Sequence, residues 1–413
     1  VKEKGKNWRS FSTDSSWKTH TSTLPIWKMQ FYNDSKWRNA KSFGKLGATP
    51  PWDKAVTVAK QKPQPLNRSL ANNSNKAGAP SSTEMLQSEE IPAEFAVEEV
   101  FGDDELGSVI AFEFNEFGNI IASLETGGLV MLNPNAKSKS DRVKYLTKEV
   151  NAIQGILPLN GDIYVTGVYA NKLGLYRLSD KDADQQIEEI SEIVSFKGYP
   201  GEHGPHGVTL GYDGSIYITI GNHVSYDGKL GKNSPFQNFY EGSIVKRYED
   251  PGGHAKGIKA PGGTIIRTDL DGTNVEVYAG GIRNSYDIAF NNNGDLFTYD
   301  SDMETDRGLS WYRPTNLYHV VAGGEYGWRS GWAKWPSYYF DGLPAAADTG
   351  RGSPTGMVFY NHVMYPLRYK GTMFIADWSG GKIYNIAFKR EGSSYKLEKE
   401  LFVEGSPLNV TDL

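Results

Sequence analysis

No cysteine occurs among the 413 residues. Disulfides, thiol nucleophiles, thiolate metal sites and a CxxCH haem attachment are therefore excluded within this stretch, and nothing in it marks a redox compartment. Long apolar runs are missing as well, since no segment approaches the roughly 20 residues that a membrane-spanning helix needs. A formal net charge of −5 leaves no basic footprint for nucleic acid or an anionic membrane surface. GxSxG elbows, P-loops and Rossmann fingerprints are also absent. The glycine-rich stretch from Gly253 to Gly263 precedes a strand pattern rather than a helix, which argues against a phosphate cradle. No signal peptide follows Val1, and the missing initiator Met reads as a processed or truncated start.

What is present is glycine and aromatic side chains. With 46 glycines, 13% aromatics and a hydrophobic fraction of only 38%, the composition favours short strands and tight turns over helix bundles. Three zones differ in texture. Residues 1–56 carry Trp8, Trp17, Trp27, Trp37 and Trp52 among Ser, Lys and Asn. Residues 57–90 are rich in Pro, Asn, Ser and Gln and read as a flexible linker, because they hold too little apolar surface to offset ordering entropy. Residues 91–413 repeat an apolar strand, an Asp/Asn–Gly turn and a second apolar strand.

The repeat appears at Ile110 to Leu124, Ile156 to Val168, Val208 to Gly221, Ile288 to Asp300 and, degenerately, Met357 to Asp377. Third strands follow at GTIIRTDLDG and GKIYNIAF. Hairpin-plus-strand units at such spacing predict propeller blades, and the alternative is a β-sandwich with extra hairpins. PLNVTDL, Pro407 to Leu413, resembles the first strand of a further unit. The expected fold is thus all-β, a six-bladed β-propeller whose last blade is truncated.

Three constellations could carry chemistry. Asp300, Asp302, Glu304 and Asp306 follow the strand Leu296 to Tyr299, an oxygen-rich composition that suits calcium. A solvated acidic loop countered by Arg307 is the plainer reading. Glu202, His203 and His206 face Asn222 and His223 across a predicted hairpin, which suits a general base or a transition-metal site. Trp328, Trp332 and Trp335 lie in an irregular aromatic stretch and suit either stacking on a sugar face or local packing.

Two resemblances add to these readings. TDSSWK (Thr13 to Lys18), FYNDSKW (Phe31 to Trp37) and Pro51-Trp52 resemble the closing part of a galactose-binding-like β-sandwich, which would place part of such a domain at 1–56. EHGPHGVTLGYDGSIYITIGN, YAGGIRNSYDIAF, GGEYGWRSG and GSPTGMVFY resemble the propeller of soluble quinoprotein (PQQ) glucose and sorbosone dehydrogenases. The nearer likeness is to propellers of planctomycetes and related bacteria that are grouped with membrane-bound dehydrogenases. This resemblance implies His203 as catalytic base with His206 as its substitute, Arg283 and Asn284 at a pyrroloquinoline quinone, and calcium beside it. It also implies departures. Asn222 stands where an aspartate would orient the histidine, Ser379 where a lysine would hold the quinone (Lys382 being the nearest cation), and Asn409 and Thr411 where two arginines would.

The expected function is oxidation of a sugar or related alcohol, with electrons passing to a quinone or to a c-type cytochrome partner. The expected location is extracellular or periplasmic, at the cell surface in one version. A non-catalytic propeller that binds carbohydrate or protein, and a calcium-dependent lactonase-type hydrolase, are the alternatives.

Overall fold

The computed structural model describes residues 18–19, 38–39, 91–182, 184–237, 255, 257–301, 314–329 and 335–413. The chain forms two compact units, Val1–Ala79 and Pro80–Leu413. In the first unit Lys18–Thr19 pairs antiparallel with Arg38–Asn39. The tryptophans behind the sandwich expectation, and the whole of the proposed linker, lie outside the described residues.

The second unit is nearly all β and carries five sheets of four or five strands in chain order. Their opening strands are Val109–Phe114, Asn151–Leu159, Pro205–Leu210, Ser285–Phe290 and Pro354–Phe359. Each opening strand pairs antiparallel with the next strand in sequence. These hairpins are the repeats read from the sequence. Their turn glycines Gly118, Gly161, Gly214, Gly294 and Gly371 all have positive φ, a conformation open to glycine because it lacks Cβ. Opening strands of successive sheets pack against one another, so the sheets follow each other as blades around a common bore.

Every opening strand shifts register at the same place. The shifts fall at Val109/Ala111, Asn151/Gly155, Pro205/Val208, Ser285/Ile288 and Pro354/Met357. In each, the opening strand spends one or two more residues than its partner, which is a β-bulge. The second strand often braces the bulge with a hydroxyl. Ser123 Oγ donates to Ile153 O at 3.0 Å and Thr166 Oγ1 to His206 O at 2.8 Å, each reaching the next sheet. Thr298 Oγ1 donates to Asp287 O at 2.6 Å within its own sheet.

The expected sixth blade is corrected: among the described residues the second unit has five sheets, and residues 407–413 form no strand. Side-chain hydrogen bonds hold this tail instead. Thr355 Oγ1 donates to Val410 O at 2.7 Å on the side of the fifth sheet. Thr411 Oγ1 donates to Val109 O at 3.0 Å, and Phe112 N to Asp412 Oδ2 at 2.8 Å, on the side of the first.

The core lies between neighbouring sheets. Leu173, Leu175 and Val194 of the second sheet pack with Ile216, Ile218 and Ile266 of the third. Phe297, Tyr299 and Leu317 of the fourth pack with Met373, Ile375 and Ile386 of the fifth. Each fully buried side chain of this kind contributes roughly 1.5–3 kcal/mol. Close approach of sheets two and three depends on Gly155, where an added Cβ would lie 2.2 Å from His206 O. Gly155→Ala is expected to cost about 1–3 kcal/mol by overpacking, seen as a lower urea midpoint with unchanged slope.

Candidate functional site

Antiparallel pairing of Pro205 with Ile220 brings the residues just before the third sheet's opening strand beside those just after its second strand. His203 Nδ1 and Asn222 Oδ1 meet at 2.5 Å, with both side chains almost fully buried. An amide oxygen can only accept, so Nδ1 carries the proton and Nε2 is the basic nitrogen. The imidazole stacks on His223, with ring centroids 4.4 Å apart. Asn222 Nδ2 is buried without a hydrogen-bond partner, an unmet donor at the same rim. A cavity of about 630 Å³ opens beside it, bordered by Asn222, His223, Ser225, Tyr226 and Lys259.

The Arg283-Asn284 turn joins the strand Glu276–Ile282 to the fourth sheet. Asp300 fixes it, accepting Arg283 N at 3.1 Å and Asn284 N at 2.7 Å. Arg283 O accepts Asn222 N at 2.8 Å, so this turn also positions the histidine's partner. Arg283 Nη1 donates to Ser301 Oγ at 2.7 Å. Asn284 spends both ends of its amide inside the protein. Its Nδ2 donates to Glu202 O at 2.8 Å, and its Oδ1 accepts from His206 Nε2 at 2.9 Å. His206 is fully buried and stacked on Tyr286, and burial pushes its imidazole down to about 4, so it is neutral. It sits beneath the rim, where it orients Asn284.

Other expected residues fare differently. Trp328 is fully buried with Ala255, so it is a core anchor and not an exposed sugar platform, because packing claims its whole surface. Trp335 lies under the guanidinium of Arg329, 3.7 Å from the ring centroid. Trp332, Asp302, Glu304 and Asp306 lie outside the described residues. Asp300, the remaining member of the acidic set, has each carboxylate oxygen engaged by a backbone N–H. Among the described residues, carboxylates gather instead on an exposed loop, where one oxygen each from Asp180, Asp182, Asp184 and Glu188 lie within 4.8 Å of one another. That oxygen set could hold a hard divalent cation.

The bore holds carboxylates that sequence reasoning missed. Glu113, Asp287 and Asp412 border a cavity of about 300 Å³. Asp287 Oδ2 accepts Met357 N at 2.8 Å and Asp412 Oδ2 accepts Phe112 N at 2.8 Å, each tying one sheet or segment to another. Burial pushes both carboxyls above the usual range, with repulsion from Glu113 adding at Asp287 and repulsion from Asp287 and Glu113 adding at Asp412. Only the bulge at Ser285/Ile288 could have signalled Asp287, and no periodicity marks Asp412.

No protein-family profile matches the chain, and no curated protein matches it by sequence. Solved structures do match. A protein from Thermus thermophilus described as an oxidoreductase (glucose dehydrogenase) aligns over 73% of this chain and 85% of its own, with TM-score 0.53 at 17% identity. The PQQ domain of a pyranose dehydrogenase from Coprinopsis cinerea, in its holo form, aligns over 78% and 87%, with TM-score 0.53 at 12% identity. At such identities the likeness establishes a shared β-propeller fold.

Proposed function

We propose that this chain is a sugar dehydrogenase-like propeller that takes a carbohydrate-type substrate at the His203 rim. The observation that carries this reading is the His203–Asn222 pair beside the 630 Å³ cavity, with one buried donor of Asn222 unmet. His203 Nε2 accepts a proton from a sugar hydroxyl, and Asn222 holds the tautomer that makes this possible. Because Asn222 is neutral, it orients the ring without stabilising the imidazolium by charge.

The fold's PQQ-bearing neighbours raise the question of a quinone, which carries three carboxylates. The cradle expected for it does not fit. Ser379 and Asn409 border a cavity whose one charged lining residue, among the described residues, is Glu404. The nearest cation, Lys382, is spent on that glutamate at 3.2 Å. Thr411 donates its hydroxyl to Val109 O. No step is therefore routed through the quinone. A c-type cytochrome acceptor, calcium and a location outside the cytoplasm are supported by the resemblance alone.

The missing cations favour a second reading, a propeller that binds carbohydrate without turnover. Dye reduction by aldoses, measured with added quinone and calcium beside calorimetric binding of the same aldoses, separates the two. Reduction supports the dehydrogenase. Binding without reduction supports the second reading, and absence of both overturns each.

A further inference from the structure

The turns that join the opening strand to the second strand of each sheet lie at one end of the bore, and the His203 rim lies at the other. The six residues of Pro205–Leu210 separate the two ends by roughly 20 Å, at about 3.3 Å per residue. Neighbouring turns are tied to each other. Gly161 N donates to Glu116 Oε1 at 3.0 Å, and Asn292 Nδ2 donates to Asn361 Oδ1 at 2.6 Å. The Tyr212 ring stands edge-on to Phe290, with centroids 6.0 Å apart. On this collar apolar side chains face water: Phe117 is 81% exposed, Met364 79%, Tyr212 70% and Phe114 56%. Scattered exposed apolar residues are ordinary, but several around one opening mark an interaction surface. The opening is the bore cavity of about 300 Å³, whose wall includes Tyr212, Val358 and Asn361 of the collar. Glu113 stands exposed at its mouth, and Asp287 and Asp412 are half-buried within. None of the described lining residues is Lys, Arg or His. On the same wall Gln154 Oε1 is buried without a hydrogen-bond partner, an acceptor that only a donor can satisfy.

We propose that this collar docks a partner protein through a segment in which one lysine or arginine is flanked by apolar side chains, the basic side chain entering the mouth of the bore. The proposal does not depend on the carbohydrate reading above. Size limits what can enter: about 300 Å³ admits one extended side chain and excludes a helix, which is roughly 10–12 Å across with its side chains. A long basic side chain suits the wall, since its methylenes lie along Val358 and Tyr212 while its cationic head meets Glu113 and the aromatic faces. Charge selects the occupant. An acidic segment meets Glu113 as a like charge with no lining cation to answer it. A wholly apolar segment covers Glu113 and leaves a carboxylate desolvated and unpaired. Apolar flanks on the segment find Phe114, Phe117 and Met364 already exposed on turns that are fixed to one another, so docking orders little of this chain.

The test titrates the full chain into three labelled, end-capped octapeptides of leucine and serine that differ at one central position: lysine, norleucine or glutamate. Expected from fluorescence polarisation is saturable binding of the lysine peptide, about tenfold weaker binding of the norleucine peptide and none of the glutamate peptide. Glu113→Gln should remove the preference for lysine over norleucine. Phe117→Ser, at an exposed turn, should weaken both peptides. An unchanged circular dichroism spectrum in each variant separates lost docking from lost fold. Binding of the lysine peptide should also tighten from pH 6 to pH 8, because the Asp287 carboxyl, pushed up to about 7 chiefly by burial, ionises across that range. Equal binding of the three peptides, a lysine preference that survives Glu113→Gln, or no saturable binding of any peptide would overturn the proposal. So would butylamine that matches the lysine peptide in affinity, since the bore would then hold a small amine without help from the collar. Self-association of the free chain that Phe117→Ser abolishes would give the collar to a second copy and overturn it too.

Discussion

His203→Ala should lower aldose-dependent dye reduction by roughly 10²- to 10⁴-fold, the usual contribution of a positioned general base. The imidazole is nearly buried and held by Asn222 Oδ1 at 2.5 Å, so its loss removes the base without removing the rim around it. Asn222→Asp tests the same geometry in the opposite direction. A carboxylate there would favour the imidazolium and move the acidic limb of the pH–rate profile to higher pH, because a nearby opposite charge raises a histidine's pKa and the base must be deprotonated to act. Asn222→Ala should also reduce turnover, because the ring loses the partner that sets its tautomer. Turnover unchanged in His203→Ala would remove this residue from the chemistry. His206 offers no substitute: it is neutral, fully buried and spends Nε2 on Asn284.

The second large effect is a loss of stability as pH rises. Asp287 and Asp412 are both raised in the folded protein, chiefly by desolvation, with the charge of Asp287 adding at Asp412. In the unfolded chain both ionise near the ordinary aspartate value of about 3.9. A raised folded pKa means that the stabilising contribution is fully present below the unfolded value and is lost as pH climbs through the folded one. Glu113, also raised by burial, adds in the same direction. The thermal midpoint should therefore decline between pH 5 and pH 8, by about 2–4 °C for each kcal/mol lost. Asp287→Asn should flatten that decline. At pH 5 it should be the less stable protein by about 1–2 kcal/mol, since an amide leaves one of the donors Met357 N and Ile288 N unserved. A wild-type midpoint that rises over this range would contradict the assignment.

The hairpins were legible because each turn carries a glycine with positive φ between apolar strands, preceded directly by Asp or Asn at Gly161, Gly214 and Gly294. His203 facing Asn222 was legible for the same reason, since pairing across a hairpin is local arithmetic. Trp328 was not. An indole in an irregular stretch looks alike whether a ligand or Ala255 covers it, and only the fold decides. Asp300 misled in a related way. Read with its acidic neighbours it resembles a cation ligand, yet its position at a strand end makes it the clamp on Arg283 and Asn284. The tail was read as an opening strand, but Val410, Thr411 and Asp412 are held by side-chain bonds rather than a ladder. Asp287 and Asp412 are 125 positions apart in sequence by their residue numbers, a separation that no local pattern bridges.

The five register shifts in the opening strands have a consequence for the lining of the bore. Three of them align residue for residue, placing His206-Gly207, Tyr286-Asp287 and Thr355-Gly356 at equivalent stations. Two of those stations hold glycine, and the space matters: a Cβ at Gly207 would lie 2.5 Å from Asp287 Oδ1, and one at Gly356 2.7 Å from Asp412 Cα. Residues in a shift stand outside the regular pairing of the ladder, so exchanging one leaves the flanking register as it was. The lining of the bore is thus a set of interchangeable fittings on a fixed mount. A glycine at one station leaves the room that the Asp287 carboxylate or the tail at Asp412 occupies, so the small residues of the shifts decide which groups reach the bore.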